Sequence, residues 1–438
     1  MNGALASSPG LPSPAERWLV SITVMITTVM VVLDITIVNV ALPHMMGSLG
    51  ATSEQITWVL TSYLVTSAIV MPLTGYLTAR LGRKRLLLAS VFGFIATSAL
   101  CGLAPAISEM VLFRALQGAF GAALVPLSQS LMVDTFASEE RGKAMAIWGM
   151  GVMVGPVMGP TLGGYLTEHL DWRWVFYINV PVGAIALLLA SAVLRETRQR
   201  AVRTDWAGMA LMAVSVGALQ VVLDRGNQDD WLRSNFILLT ALVSLAALAA
   251  FLVRGWRKPD NIVNLRLFLD RNFASASLMI GTFGLGLFGT IAVQPLLLER
   301  LLGYPVETTG LVMAPRGLAS ALSMMIVGQL IARHDPRKLI ASGTLVAELG
   351  AYLMSHYSLQ VSPGWVVWPS VVQGLGLGMI FVPLSTVAFD TLPPAVSTEA
   401  AGLYSLVRHP RGLRRHLRGE HGTDAGDVDQ LAPPGGRD

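Results

Sequence analysis

One phrase occurs twice in this sequence, each time inside an apolar stretch of helix length. Gln117-Gly118, Val125-Pro126-Leu127-Ser128 and Asp134-Thr135 return in the same order as Gln373-Gly374, Val382-Pro383-Leu384-Ser385 and Asp390-Thr391. The second copy lies about 256 residues after the first. Duplication of a membrane-spanning half is a common build of secondary transporters, so the repeat predicts two related helical halves in a membrane.

The composition supports a membrane location. Hydrophobic residues make up 53% of the chain and charged residues 13%, against about 25% charged residues in a soluble domain. The single cysteine, Cys101, excludes an intramolecular disulfide and a cysteine-based metal cluster. A pI near 9.4 would suggest nucleic-acid binding in a soluble protein, whereas in a membrane protein it indicates basic cytoplasmic connections.

Twelve mostly apolar stretches are each long enough to cross a hydrocarbon core of about 30 Å as a helix. They lie at residues 18–43, 56–78, 86–104, 109–133, 144–167, 174–194, 205–223, 235–253, 273–299, 308–332, 339–356 and 364–389. The first stretch is too long for a signal-peptide core, and no Ala-x-Ala-like site follows it. We therefore expect it to be a retained helix.

Lys and Arg residues are concentrated in alternate connections. One set of connections lies at residues 79–85, 134–143, 195–204, 254–272 and 333–338. It carries 18 Lys and Arg residues, whereas the other set carries 4. The positive-inside rule places the first set and the N-terminus in the cytoplasm. Within the longest of them, residues 264–272 are expected to form a short surface helix or a plain linker.

The connection between the second and third spans is rich in glycine and arginine, and the second half echoes it from Gly328 to Lys338. Glycines allow a tight turn and close helix approach, and guanidinium groups pair with carboxylates or helix ends. Because the spacing recurs in both halves, we interpret this segment as a cytoplasmic latch, the alternative being charge that only sets topology. The latch residues are Gly75, Arg80, Gly82, Arg83 and Lys84.

The fifth span carries a glycine ladder, with a glycine at every fourth position and two prolines, Pro156 and Pro160, between them. The ladder consists of Gly151, Gly155, Gly159 and Gly163. Small residues on one helix face let another helix pack backbone to backbone. The prolines disfavour a uniform helix and predict bending. The ladder indicates a hinge or sliding contact, or else packing alone.

Few charged side chains lie well inside the apolar stretches. The carboxylates are Asp34 in the first span and Glu348 in the eleventh, and the arginines are Arg114 and Arg316. Burial favours the neutral form of a carboxylate and a nearby cation favours the charged form, so Asp34 and Glu348 are candidate proton carriers. Arg114 shares a helix face with Gln117 and needs a polar partner in mid-membrane.

Structural roles are the alternatives for these residues. Asp34 could merely neutralise Arg114 or Arg316, and Glu348 could be merely structural. The sequence contains no P-loop, no Gly-rich nucleotide cradle and no acidic metal cluster. We therefore expect no cofactor, with the proton as coupling ion instead of ATP.

Together these phrases resemble the fourteen-span drug:proton antiporters of the major facilitator superfamily, the EmrB/QacA type. The resemblance covers about residues 17–408 and rests on the phrases Leu33–Pro43, Arg114–Gly118, Gly151–Gly164 and Trp172–Gly183. It implies an all-α polytopic membrane protein with the major facilitator fold, two pseudo-repeated halves and two inserted central helices. About 12 spans are present of 14 expected. Ala79 departs from the family, where this loop position is often acidic.

The expected organisation has six parts. These are a cytoplasmic N-terminus (1–17), an N-terminal six-helix half (18–194), two inserted helices (205–253), a cytoplasmic interfacial linker (254–272), an incomplete C-terminal half (273–408) and a polar tail (409–438). The tail is rich in Arg, Pro and Gly where the repeat demands two more helices. We expect that it is read out of frame after residue 408, the alternative being a genuine short cytoplasmic tail.

The predicted function is transport and not catalysis, namely proton-coupled export of amphipathic, often cationic compounds across a bacterial inner membrane by alternating access. Asp34 would take up a proton from outside and release it inside, and Arg114 would tune that carboxylate. The resemblance implies a periplasmic adaptor protein and an outer-membrane channel as partners where an outer membrane exists, and no nucleic acid. The alternatives are a truncated, non-transporting membrane protein and a solute symporter or sensor on the same scaffold.

Overall fold

A computed structural model describes residues 13–197, 205–226, 230–258, 263–358, 361–393 and 396–408 of the 438-residue chain. These ranges contain helices, turns and loops and no β-strand. The α-helices are α1 (Pro14–Ser48), α2 (Ser53–Val70), α3 (Thr74–Leu81), α4 (Arg83–Leu103), α5 (Ile107–Gly121), α6 (Leu124–Thr135), α7 (Arg141–His169), α8 (Trp174–Tyr177), α9 (Asn179–Val193), α10 (Trp206–Arg225), α11 (Asn235–Arg257), α12 (Arg271–Leu296), α13 (Val306–Leu330), α14 (Pro336–Met354), α15 (Pro363–Asp390) and α16 (Ser397–Arg408).

Helices occupy all twelve predicted spans. The second span is formed by α2 and α3, the fourth by α5 and α6, and the sixth by α8 and α9. Nine helical segments of the described part are long and apolar enough to cross a membrane. The other three predicted spans correspond to α7, α12 and α14. The all-helical architecture expected from the sequence is therefore confirmed.

Polar residues fix where several helices begin. Ser13 and Glu16 form a capping box at the start of α1, and Thr52 and Gln55 form another at the start of α2. Asp270 accepts a hydrogen bond from the backbone amide of Phe273 at the start of α12. Such side chains satisfy amide groups that the first helical turn leaves without a partner.

The two halves meet along α7 and α13. Gly142 of α7 and Gly328 of α13 lie at this contact, where a Cβ atom on Gly142 would be 3.3 Å from the carbonyl oxygen of Gly328. The first half consists of α1 to α9, and the described second half consists of α12 to α16. On the opposite side of the molecule, α16 packs against α3 and α6 of the first half.

The glycine ladder of α7 packs against α1. A Cβ atom on Gly155 would lie 2.7 Å from the carbonyl carbon of Val32, and one on Gly159 would lie 2.6 Å from Cβ of Thr36. Thr36 Oγ1 donates a hydrogen bond of 3.0 Å to the carbonyl oxygen of Gly155. Helix α7 continues without interruption through the two proline positions, one of them Pro156.

The inserted helices α10 and α11 pack on each other and α10 contacts α2. The Arg254 side chain of α11 donates to both carboxylate oxygens of Asp205, which caps α10. Because the Asp205 carboxylate accepts this charged hydrogen bond, its pKa lies below the ordinary value for aspartate. One ion pair therefore joins the ends of the two inserted helices.

The connection after α11, expected to be a short surface helix or a plain linker, contains one short helical segment. Residues Leu265–Leu269 form a 3-10 helix, in which Leu265 and Leu267 are buried against the main apolar core. These buried leucines anchor the segment to the protein. Residues 259–262 of the same connection lie outside the described residues.

The end of the described second half contains a helix that the sequence did not predict, α16. Its residues Ala400, Ala401, Leu403 and Tyr404 are buried in the core. The expected change of reading frame concerns residues 409–438, which lie outside the described residues.

Replacing Gly155 by Leu should abolish transport while leaving the protein in the membrane. The new side chain would overlap the Val32 backbone, and overpacking of this kind costs about 1–3 kcal/mol. Transport in everted vesicles, normalised to membrane-inserted protein, measures the effect. Gly286→Leu is the matched control, because nothing lies within 4 Å of a Cβ atom at Gly286. Equal transport by both variants would contradict the close contact.

Replacing Asp205 by Asn should lower the melting temperature at neutral pH, by a modest amount because solvent screens this partly exposed ion pair. Asn keeps the cap on α10 but loses the charge that pairs with Arg254. Since the pKa of Asp205 is depressed by folding, its stabilisation is present above the unfolded-state pKa and disappears as the pH falls through the folded-state pKa.

Thermal unfolding of the detergent-purified protein between pH 7 and pH 3 tests this expectation. The melting temperatures of wild type and Asp205→Asn should converge at the acid end. Asp230→Asn, which changes an exposed carboxylate, serves as the control. A gap between wild type and Asp205→Asn that is constant over this pH range would refute the assignment.

Candidate functional site

The carboxylate of Asp34 lies at the centre of a buried hydrogen-bond network. Its Oδ2 atom accepts a hydrogen bond of 2.7 Å from Arg114 Nη1. Its Oδ1 atom accepts from Gln117 Nε2 at 3.0 Å and from Asn179 Nδ2 at 2.8 Å. Asp34 and Arg114 are each only 1% exposed. The described structure therefore surrounds a membrane-embedded carboxylate of α1 with donors from α5 and α9.

Arg114 is held by further contacts in the first half. Its Nε atom donates to the carbonyl oxygen of Val59 at 3.1 Å, and Nη1 also donates to Gln117 Oε1 at 2.6 Å. The Tyr63 ring lies against the guanidinium group, with 4.3 Å between Cζ and the ring centroid. A cation over an aromatic face is stabilised by the ring quadrupole, more strongly when water is excluded.

Asn179 and Ser98 complete the network. Asn179 Nδ2 lies 3.0 Å from Ser98 Oγ, which donates to the carbonyl oxygen of Phe176 at 2.9 Å. Sequence reasoning did not select Asn179, Ser98 or Tyr63 as site residues. The available signal was polarity, because Asn179 and Ser98 are uncharged polar residues inside predicted apolar spans.

The other intramembrane charges lie elsewhere. Glu348 is exposed on the outer face of α14, beside the exposed Leu345 and Leu349, and it takes no part in the network. Arg316 of α13 donates to Gln294 of the second half. Of the two cations considered as partners for Asp34, the structure pairs it with Arg114.

The segment rich in glycine and arginine, between the second and third spans, joins the two halves. Arg83 forms an ion pair with Asp134, and its Nη2 atom lies 3.0 Å from Ser397 Oγ of α16. Ser397 Oγ in turn donates to Asp134 Oδ2 at 3.0 Å. A Cβ atom on Gly75 would lie 2.9 Å from Cα of Glu399, so α16 approaches the first half closely at this end.

The remaining residues of this segment make local contacts. Gly82 adopts a φ of 85°, a left-handed conformation that glycine adopts readily. Lys84 Nζ donates to the carbonyl oxygen of Ser191 at 2.6 Å, and Arg80 Nη1 lies 2.9 Å from the Tyr76 hydroxyl. Where Ala79 lacks a carboxylate, Asp134 of the repeated phrase supplies one to Arg83.

A cavity lies between the halves and adjoins the Asp34 network. Most of its wall is apolar and includes Val32, Phe283 and Phe381. Tyr63 also lines it, so the ring that covers Arg114 is part of the cavity wall. Arg408 is its one charged lining residue among those described, and its guanidinium group lies 5.1 Å from the Trp148 ring centroid.

Two helical halves around a central cavity are typical of secondary transporters. The sequence matches the profile of the Major Facilitator Superfamily over residues 24–410. The chain belongs to this superfamily. Major facilitator proteins are membrane transporters, so the chain is a transporter and not an enzyme.

The chain is similar to characterised bacterial members of the superfamily. It is 37% identical over 402 residues to the fatty acid resistance protein FarB of Neisseria gonorrhoeae, covering 91% of this chain and 79% of that protein. It is 36% identical over 397 residues to the multidrug export protein EmrB of Escherichia coli K12, covering 90% and 78%. These relatives place the chain with the EmrB type of the superfamily.

Solved major facilitator structures share the fold. The proton:xylose symporter XylE, bound to 6-bromo-6-deoxy-D-glucose, has a TM-score of 0.65 at 15% identity and covers 90% of this chain and 86% of its own. The human organic anion transporter MFSD10 has a TM-score of 0.65 at 17% identity, covering 93% and 94%. The expected major facilitator fold is therefore confirmed.

Replacing Arg83 by Gln should loosen α16 from the first half. The variant loses the ion pair with Asp134, and the start of α16 should exchange its backbone amide hydrogens severalfold faster in a mass-spectrometric experiment. The effect should be modest, because partly exposed ion pairs are worth little. Arg85→Gln removes an exposed arginine nearby and is the control. Identical exchange of residues 397–408 in both variants would show that Arg83 does not hold α16.

Proposed function

We propose that this chain is a proton-coupled exporter of amphipathic small molecules that works by alternating access. The observation that carries the proposal is the carboxylate of Asp34, buried in the membrane interior and paired with Arg114 beside the central cavity. We further propose that the protein lies in the cytoplasmic (inner) membrane of a bacterium, with its N-terminus in the cytoplasm, as the distribution of Lys and Arg favours.

Protonation of Asp34 changes the energy of the whole network. In the charged state the carboxylate compensates Arg114, and loss of one partner of a buried pair leaves an uncompensated charge at a cost of about 3–5 kcal/mol. A proton on Asp34 therefore favours a rearranged state in which Arg114 finds other acceptors or water. Release of the proton restores the pair.

Tyr63 supplies a route from this network to the cargo. Its ring contacts the Arg114 guanidinium on one side and lines the central cavity on the other. A molecule in the cavity would contact Tyr63 directly, and a proton on Asp34 would affect Tyr63 through Arg114. Such shared dependence is what antiport requires, because each ligand must change the affinity for the other.

Alternating access requires that the contacts between halves break on one side of the membrane at a time. The cytoplasmic contacts available for this are Arg83 and Asp134 with Ser397, and the closely packed α7 and α13. The glycines at these contacts let backbones approach without interlocking side chains. A rocking movement can therefore separate them without unpacking either half.

The apolar cavity wall supports an amphipathic cargo. EmrB is named for multidrug export and FarB for fatty acid resistance, and both names fit compounds with large apolar parts. The sequence favoured cationic compounds, yet the charged residue among the described lining residues is a cation, Arg408. In a cell with an outer membrane, we expect an adaptor protein and an outer-membrane channel as partners.

Two alternatives to export are a solute symporter and a membrane protein that does not transport. XylE is a proton:xylose symporter with the same fold, but the largely apolar wall described here offers few hydrogen-bond partners to a sugar. A non-transporting membrane protein on the same scaffold is the other alternative. Measured transport separates this last alternative from export.

Replacing Asp34 by Asn tests the proposed function. Asn has nearly the same shape but cannot carry the charge, so substrate-dependent proton release from everted vesicles should fall to background while the protein remains inserted. Glu348→Gln is the control, because Glu348 is exposed and distant from the network. It should retain most of the wild-type activity.

Because Asp34→Asn leaves Arg114 without its anion, thermal unfolding of the purified variant checks that it is folded, and coupling needs a second measurement that does not rely on membrane vesicles. Proton release on adding substrate to purified protein in weakly buffered solution provides it, since this signal does not depend on sealed vesicles. Wild-type protein should release protons and folded Asp34→Asn should not. Equal proton release by both proteins would exclude Asp34 as the coupling carboxylate.

A further inference from the structure

The second half contains a counterpart of the Asp34 network in which a hydroxyl group replaces the carboxylate. Gln117 Nε2 lies 3.0 Å from Asp34 Oδ1, and Gln373 Nε2 lies 3.5 Å from Thr290 Oγ1. The two residues of each pair are 83 positions apart, so the contacts correspond by the internal repeat. Thr290 therefore stands where the first half has its carboxylate.

The cation of the second half comes from a different helix. Gly118 and Gly374 correspond in the repeat, and a Cβ atom on each would meet the backbone of Tyr63 and of Arg316, at 2.9 Å and 3.1 Å from the respective carbonyl carbons. Arg316 thus occupies the position of Tyr63. Ser370 follows Arg114 by 256 residues and occupies its position. The second half therefore keeps a buried cation but replaces the anion.

Arg316 has few partners within the described structure. It is 5% exposed, and its Nη1 atom donates to Gln294 Oε1 at 3.3 Å. Its Nη2 atom has no hydrogen-bond partner among the described residues, and no described carboxylate forms an ion pair with it. A buried cation that has no ion-pair partner among the described residues is costly and indicates a place where an anion can be accommodated.

Neighbouring groups add hydrogen-bonding capacity beside this cation. Gln294 Nε2 donates to Ser370 Oγ at 2.8 Å, and Ser370 Oγ donates to the carbonyl oxygen of Val366 at 2.9 Å. Gln373 is buried, and its Oε1 atom has no hydrogen-bond partner among the described residues. Gln373 Oε1 can only accept a hydrogen bond, so the donors for a carboxylate are the second N–H of each side-chain amide and the Nη2 group of Arg316. Arginine can bind a carboxylate with two parallel hydrogen bonds.

The position of this cluster relates it to the central cavity. Leu287 of α12 lines the cavity, and Thr290 and Gln294 follow it on the same helix face at three and seven residues. At 1.5 Å per residue, Gln294 lies about 10 Å further along α12, toward the end predicted to be extracellular. The cluster therefore continues one wall of the cavity outward.

We propose that Arg316, with Gln294, Ser370, Gln373 and Thr290, forms a subsite that binds the carboxylate of an amphipathic acid on its way out of the central cavity. The proposal rests on the proposed export function and names its substrate class. The carboxylate replaces the anion that Asp34 supplies in the first half. A bound inorganic anion such as chloride has the same charge, so the experiment separates the two sources.

The experiment is isothermal titration of the purified full chain in a non-ionic detergent with octanoate, with octan-1-ol and with sodium chloride, each titrated separately. Wild-type protein should bind octanoate at least tenfold more tightly than octan-1-ol. Arg316→Gln should weaken octanoate binding at least tenfold and leave octan-1-ol binding unchanged. Arg337→Gln removes an exposed arginine and should change neither affinity.

Each other outcome overturns the proposal. Equal wild-type affinities for octanoate and octan-1-ol would show that no charged subsite exists, and this result needs no variant. Arg316-dependent binding of chloride without a preference for octanoate would show an inorganic anion site only. If Arg316→Gln does not fold, Arg316→Lys keeps the charge and should retain octanoate binding within tenfold.

The test is independent of proton coupling. It measures binding at equilibrium without a proton gradient, whereas the test of the proposed function measures proton release and its dependence on Asp34. Loss of proton coupling in Asp34→Asn together with octanoate binding that ignores Arg316 would leave the exporter in place and remove the subsite. Unchanged proton coupling in Asp34→Asn together with octanoate binding that depends on Arg316 would keep the subsite and exclude the coupling role of Asp34.

Discussion

The ion pair between Asp34 and Arg114 is the interaction on which the first half depends. Its donors and acceptors come from α1, α2, α4, α5 and α9, so one buried charge pair fixes the relative positions of five helices. Without water in the membrane interior, each polar group in this network needs a protein partner. The same requirement makes the site sensitive to a single proton, because one added charge leaves the remaining groups imperfectly matched.

The two halves have corresponding helices but different buried charges. Gln117 and Gln373 occupy matching positions, as do the glycines that follow them. The first half balances Arg114 internally, whereas Arg316 has no such balance among the described residues. A duplicated scaffold thus carries one charged network that is complete and one that is open. This difference gives the two halves distinct chemistry although their helices correspond.

Much of this fold follows from patterns that a sequence displays directly. Apolar length located the spans, and the repeat predicted two halves, since both depend on local composition. The network around Asp34 was only partly predictable, because Asn179 and Ser98 lie 145 and 81 positions away from their partners in the network and only folding brings them together. Glu348 was chosen for its depth along a helix, but the face it occupies depends on how α14 packs. Helix α16 escaped prediction because its buried residues, such as Ala400 and Ala401, are small and its sequence is barely apolar.

Where the glycine ladder of α7 meets α1, the side chains in the contact come from α1. Val32 and Thr36 project from α1, and Gly155 and Gly159 present bare backbone. Packed helices tolerate substitutions best when the total side-chain volume is kept, so that a larger residue on one helix is matched by a smaller residue on the other. Such compensation is impossible at Gly155 and Gly159, because no residue is smaller than glycine. A larger residue at Val32 or Thr36 would therefore push the two helices apart, and both residues lie on α1, the helix that also carries Asp34.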